Sequence, residues 1–167
     1  MKGKKRKNVI LLLVLLAIVF FLSFYFIVPS FFILPEISTY GLTQVAVTVD
    51  TENKILKLVA GCYALDMTIT EDQAESIENG LNNVISYRPY THDIVKEILK
   101  SFDIDIVMVK ITETKNSTYY ARLILRKGNS VLNLDCRPSD AVALAVRTNS
   151  SIYIDTTLLQ EFGEDVC

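Results

Sequence analysis

Two short polar segments, residues 88–93 and 135–140, contain the side chains that could perform hydrolytic chemistry. The candidates are His92, Asp93 and Asp140 as catalytic groups, Arg88, Arg137 and Ser139 as phosphate-binding groups, and Asp135 with Asp140 as metal ligands. Hydrolysis of a phosphodiester needs an activated water, stabilisation of charge on the phosphorus oxygens and a proton for the leaving oxygen. Imidazole, carboxylate and guanidinium groups can supply these functions, so the two segments predict a hydrolytic site if the fold brings them together.

His92 is the only histidine of the chain, and near neutral pH an imidazole can act as base or acid. Asp93 could orient this ring or bind a metal ion. Both residues fall in the first turn of a predicted helix with Thr91 as its N-cap. The alternative is therefore a solvent-facing histidine beside a carboxylate that compensates the helix dipole.

Asp135 and Asp140 are the best carboxylate pair for a divalent cation such as Mg²⁺, because hard ions take oxygen ligands. They lie five residues apart across a predicted strand–helix turn and could converge there. They could equally be a solvated charge at a strand end and a cap at a helix start. The sequence leaves both interpretations open and names no other cofactor.

Arg88 and Arg137 could clamp a phosphate, because a guanidinium presents its donors in a planar fork. The alternative is a pair of salt bridges to the neighbouring aspartates. Ser139 could donate to a phosphate oxygen, but no base stands beside it to make it a nucleophile. Arg147, in the last turn of the helix that follows, is expected to form an ion pair within this motif.

The helix that carries Asp140 is predicted to be buried nearly all round. Pro138 suits its first turn, where a missing N–H is tolerated, and every residue over Ala141–Val146 is apolar. An alternating strand, 130–135, leads into it. A buried helix would hold its polar opening residues firmly at one edge of the core, as a site requires, although a well-capped structural helix has the same pattern.

The rest of the chain alternates hairpins with helices and predicts an α+β domain. We expect a hairpin-rich mixed or antiparallel sheet and three to four helices, preceded by one transmembrane helix. Predicted strands cover 45–49, 55–59, 62–69, 104–112, 118–126, 130–135 and 152–154, and predicted helices cover 71–82, a segment starting near 91, 141–146 and 157–162. The predicted organisation is a basic segment 1–8, a transmembrane helix 9–28, a linker 29–40, the domain 41–162 and a frayed tail 163–167.

The N-terminal segment predicts a membrane anchor. Five basic residues precede Val9, and Val9–Val28 then contains no charged residue, which is long enough to cross a hydrocarbon core of about 30 Å. A cleaved signal peptide is the alternative, but its apolar region is normally about 7–15 residues long. Because basic residues stay on the cytoplasmic side, we expect a single-pass protein of the cell membrane with its C-terminal domain outside the cytoplasm.

Charge and cysteine content restrict the partners. All 19 acidic residues and 12 of the 17 basic residues follow Val28, which gives the C-terminal part a net charge of −7. Such a surface does not attract phosphate backbones over long range. The three cysteines, Cys62, Cys136 and Cys167, show no zinc-binding spacing. One disulfide is possible in an exported domain, with Cys62–Cys136 as one option.

The order and content of several motifs resemble the bifunctional nuclease domain family, first catalogued as a domain of unknown function. The resemblance covers residues 40–162 and is carried by Arg88–Asp93, Tyr119–Ala121, Asp135–Thr148 and Ile152–Ile154. Within it, the Arg-Pro-Ser-Asp-Ala run is specific and the Thr-His-Asp run supports it. No phosphate-binding loop, dinucleotide fingerprint, nucleophile elbow or zinc-protease motif is present in the sequence.

This resemblance implies a compact α+β domain that forms homo-oligomers and acts on DNA and RNA, the activity attributed to plant members. The chain departs from the family pattern at Cys136, where many members have a small residue, and in its predicted anchor and extracytoplasmic location. Two functions therefore follow as expectations. One is a membrane-anchored nuclease, and the alternative is a non-enzymatic extracytoplasmic binding or interaction module on the same fold.

Overall fold

The computed structural model describes residues 12–23 and 35–167. They fall into two compact units, residues 1–38 and residues 39–167. In the first unit, helix α1 covers residues 12–23 and a 3-10 turn covers Pro35–Ile37. Within the described residues, no helix combines the length and the apolar character that crossing a bilayer requires. The predicted membrane span also includes residues 9–11 and 24–28, which lie outside the described residues.

The second unit contains nine strands and four helices in its described residues. The strands are β1 Leu42–Gln44, β2 Ala46–Asp50, β3 Ile55–Ala60, β4 Tyr63–Thr68, β5 Asp105–Lys115, β6 Thr118–Lys127, β7 Ser130–Cys136, β8 Ser151–Asp155 and β9 Glu164–Asp165. The helices are α2 Glu71–Leu81, α3 Thr91–Ser101, α4 Pro138–Thr148 and α5 Thr156–Phe162. The predicted α+β class and helix number are confirmed for this unit.

The strands form two sheets, where the sequence predicted one. The five-stranded sheet has the order β1-β8-β5-β6-β7, with β5 and β8 parallel and all other neighbours antiparallel. The four-stranded sheet has the antiparallel order β2-β3-β4-β9. The chain passes between them at Val45, whose N–H donates to the carbonyl of Ile152. Because the valines at 45, 47 and 49 alternate without a break, nothing in the sequence indicated that the chain changes sheets at Val45.

Helix α4 lies at the centre of the core. It packs against α2 and α3 and against β5, β6 and β8. The side chains of Ala141–Ala145 are all buried, so the prediction of a buried apolar helix is confirmed. Because three of these five residues are alanine, the neighbouring elements can approach α4 closely. The close packing fixes the position of the first turn of α4, where the polar candidates lie.

Local signals predicted several boundaries well. The hairpin of β5 and β6 turns at Asn116 and Ser117, which have φ angles of 50° and 59°. Two consecutive residues with positive φ are typical of the type I′ turn that suits a two-residue hairpin loop. Thr70 caps α2 through the predicted capping box with Gln73. These features depend on neighbours within three residues, which the sequence displays directly.

The C-terminal tail is ordered, so the prediction of fraying is wrong. β9 pairs with β4, and the N–H of Val166 donates to the carbonyl of Cys62 across 2.8 Å. A disulfide joins Cys62 to Cys167, and the suggested Cys62–Cys136 pairing is wrong. Cys136 ends β7 in the other sheet and is a free, half-buried thiol. Burial raises the pKa of this thiol to about 11.

Candidate functional site

The site lies where three helices meet: the middle of α2 and the first turns of α3 and α4. His92 enters from α3, Asp140 from α4 and Ser76 from α2. His92 Nδ1 lies 2.9 Å from the hydroxyl of Ser76, and Nε2 lies 3.6 Å from Oδ1 of Asp140. The first contact is a hydrogen bond, and the second is slightly too long for one. The fold thus brings two of the three predicted catalytic residues together.

Asp140 occupies the third position of α4, where the helix dipole stabilises a carboxylate. Arg137, the N-cap residue, donates to it twice, from Nε at 2.7 Å and from Nη2 at 3.1 Å. This bidentate ion pair is the alternative that the sequence suggested, in which the arginine binds a neighbouring aspartate and not a phosphate. The Arg137 side chain is nevertheless 71% exposed, so the part of its guanidinium that does not face Asp140 is accessible to a ligand.

The surroundings of His92 favour the neutral imidazole. Burial lowers the pKa of His92, and the positive charge of Arg147 lowers it further. The carboxylate of Asp140 acts in the opposite direction, but it does not outweigh burial. The pKa of His92 therefore lies below its usual value of about 6.5, and the ring is neutral and able to accept a proton at pH 7.

Asp93 faces into the protein, where both of its oxygens have partners. Oδ1 accepts from Nε of Arg147 at 2.6 Å, and Oδ2 accepts from the backbone N–H of Tyr90 at 3.0 Å. Tyr90 is therefore the N-cap residue of α3, one position before the predicted Thr91. Burial alone would raise the pKa of Asp93, but the hydrogen bonds from Arg147 and Tyr90 and the charge of Arg147 lower it. The carboxylate holds α3 in place and does not reach the ring of its neighbour His92 through any hydrogen bond in the described residues.

Arg147 ties the last turn of α4 to both other helices. Its Nη1 donates to the carbonyls of Ser76 and Ala143 at 2.8 and 2.9 Å. The predicted ion pair within its own motif is wrong, because the partner is Asp93 on α3. Nη2 is buried without a hydrogen-bond partner among the described residues. Gly80 makes room for this side chain, since a Cβ there would lie 2.9 Å from Nη1.

Asp135 is paired away from the helix junction. It faces Arg122 in the register of β6 and β7, and its carboxylate lies 3.7 Å from the Arg122 guanidinium. Asp140 is occupied by Arg137 in the same way. The described residues contain no group of three or more acidic, histidine or cysteine side chains that could hold a metal ion. Asp135 and Asp140 are therefore not part of such a group within the described residues.

Arg88 lies exposed in the segment between α2 and α3 and forms no ion pair with any described residue. Ser139, by contrast, is only 5% exposed. It lines a cleft of about 750 Å³ together with its neighbours Arg137 and Pro138. The structure thus places Arg137 and Ser139 in one cleft at the start of α4, while the Arg88 side chain is not among the groups that line it.

The sequence analysis missed Ser76. This serine lies between Ala74 and Ile77 on the buried face of α2 and is 7% exposed. A polar residue within the apolar stripe of an amphipathic helix was the available signal, because a buried hydroxyl needs a hydrogen-bond partner. The residue numbers alone could not show that His92, sixteen positions later, is that partner.

The fold and this junction define a class of protein: an α+β domain with two sheets and a histidine–carboxylate–arginine site at the meeting point of three helices. The model of the bifunctional nuclease domain matches residues 55–166. The chain belongs to this family.

Curated relatives share part of their length with the chain. An uncharacterized protein of Mycobacterium tuberculosis is 28% identical over 109 residues, which are 65% of each chain. Bifunctional nuclease 1 of Oryza sativa subsp. japonica is 30% identical over 113 residues, which are 65% of this chain and 34% of the rice protein. Bifunctional nuclease 1 of Arabidopsis thaliana is 29% identical over 113 residues and 35% of its length. The chain therefore spans about a third of these plant proteins.

Proposed function

We propose that this domain hydrolyses phosphodiester bonds of nucleic acid. Family membership and the names of the plant relatives support a nuclease-like activity. The observation that carries the proposal is the position of His92 between Ser76 and Asp140, with Nε2 3.6 Å from the carboxylate. A neutral imidazole next to a carboxylate is a suitable general base for a hydrolytic water.

His92 and Asp140 can hold a water molecule beside them. A distance of 3.6 Å is too short for a water between the two atoms, but a water beside the pair can donate to Nε2 and also contact the carboxylate. In this tautomer, which we assign because the reaction requires it, Nδ1–H donates to Ser76 and Nε2 holds the lone pair. As the water oxygen attacks phosphorus, its proton passes to Nε2, and Asp140 stabilises the imidazolium that forms. The P–O bond to the leaving oxygen breaks, and this oxygen takes a proton from solvent, while the imidazolium later returns its proton to solvent. Ser76 is a positioning residue that fixes the ring.

Arg137 is assigned to the phosphate. A guanidinium has five N–H donors, and Asp140 accepts from two of its nitrogens. The remaining donors on the exposed side of Arg137 can reach two oxygens of a phosphate that lies beside the water. Such charge-assisted bonds strengthen as negative charge develops on those oxygens.

The steps above use no divalent cation. Mg²⁺ with Asp135 and Asp140 stays a prediction that the assay below tests directly. A cation held jointly by a substrate phosphate and one carboxylate would make cleavage sensitive to chelator. It would also make cleavage sensitive to Asp135→Asn.

The test uses the full chain with single-stranded and double-stranded DNA and RNA, each with Mg²⁺ and with chelator. His92→Ala and Asp140→Asn are expected to lose about 10²–10⁴-fold in rate, the usual contribution of a general base. Asp105→Asn is the matched control, since this exposed carboxylate belongs to the far end of β5. Equal cleavage by all proteins would contradict the assigned site. Folded protein without any cleavage would favour the non-enzymatic binding module.

We also propose a membrane tether with the domain on the extracytoplasmic side. The basic cluster and the uncharged stretch 9–28 support the tether, and the Cys62–Cys167 disulfide supports an oxidising compartment. Membrane fractionation of cells expressing the full chain, followed by mass spectrometry under thiol-blocking conditions, tests both points. Recovery in the soluble fraction with reduced cysteines would contradict them. The homo-oligomer stays a prediction that analytical sedimentation of the full chain can test.

A further inference from the structure

A cleft of about 750 Å³ opens beside the proposed catalytic junction. Five structural parts line it: the end of β4, the start of α2, the tip of the β5–β6 hairpin, the start of α4 and the end of α5. We propose that this cleft binds one phosphate and one adjacent base of single-stranded nucleic acid. The inference rests on the proposed hydrolysis and goes further by naming the form of the substrate and the residues that select it.

Ser139 is the first observation that points to a ligand. Its side chain lines the cleft and is 5% exposed, yet it forms no hydrogen bond with a described residue. Ser139 Oγ is not among the fully buried side-chain atoms that lack a partner in the described residues, so this hydroxyl is accessible from the cleft. A partner that enters from the cleft satisfies this hydroxyl, and a phosphate oxygen accepts from it in the direction that a serine donor requires.

The start of α4 provides a second, separate reason. The helix has no side-chain cap bond at Arg137, and Pro138 occupies its first position. The dipole at this end stabilises the Asp140 carboxylate, and it also favours a bound anion beside the exposed side of the Arg137 guanidinium. Asp140 does not repel such an anion strongly, because Arg137 neutralises it through two hydrogen bonds. Arg137 lines the cleft as well and links it to the water site.

Other residues that line the cleft offer surfaces for a base. Tyr119 and Phe162 line it, and the amide side chain of Asn116 lies at the hairpin tip. Burial raises the pKa of Tyr119, so its phenol stays neutral beside a polyanion. An aromatic face accepts any base by stacking, and an amide can donate to or accept from a base edge. The cleft therefore combines one phosphate position with one stacking position.

Charge and size favour a single strand over a duplex. The chain beyond Val28 has a net charge of −7, which does not suit a long row of phosphate contacts. The cleft is within the range of about 300–1,000 Å³ that takes a small ligand, so it can hold about one nucleotide. A base must leave its helix to stack on Tyr119, and an unpaired base does so without breaking base pairs.

Fluorescence anisotropy of the full chain in chelator tests this inference with labelled six-nucleotide single strands of DNA and RNA and with duplexes of the same sequence. We expect the single strands to bind more tightly than the duplexes. The slope of log affinity against log salt is about −0.7 for each contacted phosphate of a single strand, and we expect the slope that corresponds to one or two contacted phosphates. Ser139→Ala and Tyr119→Ala are each expected to weaken binding about tenfold, whereas Tyr119→Phe retains it. Tyr87→Ala is the matched control, because Tyr87 is 98% exposed and lies outside the cleft.

The outcomes separate this inference from the proposed hydrolysis. Cleavage that depends on His92 while binding is unaffected by Ser139→Ala and Tyr119→Ala overturns the cleft assignment alone. Binding that depends on Ser139 and Tyr119 without cleavage overturns the hydrolysis and supports the cleft. Duplex binding as tight as single-strand binding, or a steep salt dependence, also overturns the inference. Circular dichroism and thermal melting of each variant distinguish lost contacts from lost folding.

Discussion

Arg147 and Asp93 form an ion pair from which water is almost completely excluded, with side chains only 3% and 11% exposed and Nε 2.6 Å from Oδ1. The pair joins the last turn of α4 to the first turn of α3. His92 precedes Asp93 directly, and Arg147 also bonds the backbone of Ser76. One buried arginine therefore holds all three helices of the site in register.

Arg147→Met is expected to destabilise the fold by about 3–5 kcal/mol, because it leaves the Asp93 charge buried without its partner. Adding Asp93→Asn should recover much of this loss, since the amide oxygen can still accept from the Tyr90 N–H. Urea unfolding of the two single variants and the double variant measures the coupling. Additive losses would show that the pair contributes no specific interaction.

Stability should fall in acid through the same carboxylate. The folded state lowers the pKa of Asp93, so its contribution is fully present above the unfolded value of about 3.9. It is lost as the pH falls through the lower folded value, because the unfolded state binds the proton more readily. Unfolding free energies between pH 2.5 and 5 measure this loss. Asp93→Asn should show a shallower pH dependence in that window, and an unchanged slope would contradict the assignment.

His92 can be followed as the single histidine of the chain by NMR. Its ring signals should titrate below about pH 6.5, the unperturbed value, because burial lowers the pKa. Asp140→Asn should move the midpoint lower still, since the carboxylate raises this pKa. Asp105→Asn is the matched control and should leave it unchanged. If His92 is the base, the acid limb of the cleavage rate should shift together with the NMR midpoint.

Gly80→Ala should destabilise the protein by about 1–3 kcal/mol, the usual cost of overpacking. The new Cβ would lie 2.6 Å from Cγ2 of Val146 and 2.9 Å from Nη1 of Arg147. Alanine has a higher helix propensity than glycine, which stabilises the helix by about 1 kcal/mol and offsets part of this loss. Asn79→Ala in the same helix is the control for the effect of helix propensity. Thermal melting compares the two variants. A melting temperature of Gly80→Ala at or above that of the wild type would show that the α2–α4 contact is loose.

Loss of the Cys62–Cys167 disulfide should destabilise the domain by about 2–4 kcal/mol. The bond spans 105 residues and attaches the tail to the turn between β3 and β4. Cys62→Ser or added reductant should lower the melting temperature, whereas Cys136→Ala should change it little. Thiol titration of the native protein should detect one slow group, because the pKa of Cys136 is raised to about 11. Three fast thiols would contradict the pairing.

The features that the sequence predicted depend on near neighbours. The Thr70–Gln73 capping box, the turn at Asn116 and the apolar run of α4 all appear in short windows. The Arg137–Asp140 salt bridge, which the sequence offered as the alternative to phosphate binding, is present for the same reason, since these residues are three positions apart.

The features that sequence reasoning missed join distant segments. Arg147 meets Asp93 across 54 positions and His92 meets Ser76 across 16. The separation of Cys62 from Cys167 is 105 residues. Packing of the helices against the sheets determines these contacts, and no residue type in either partner specifies the other. The change of sheet at Val45 could not be predicted, because the same alternation of apolar and polar residues suits a strand of either sheet.

That change of sheet has a mechanical consequence. The backbone runs from β1 into β2 with one residue between them, and Val45 remains bonded to β8. The two sheets therefore share a stiff corner and cannot separate as independent plates. The spacing of β4 and α4, which both line the proposed cleft, is accordingly set by the backbone.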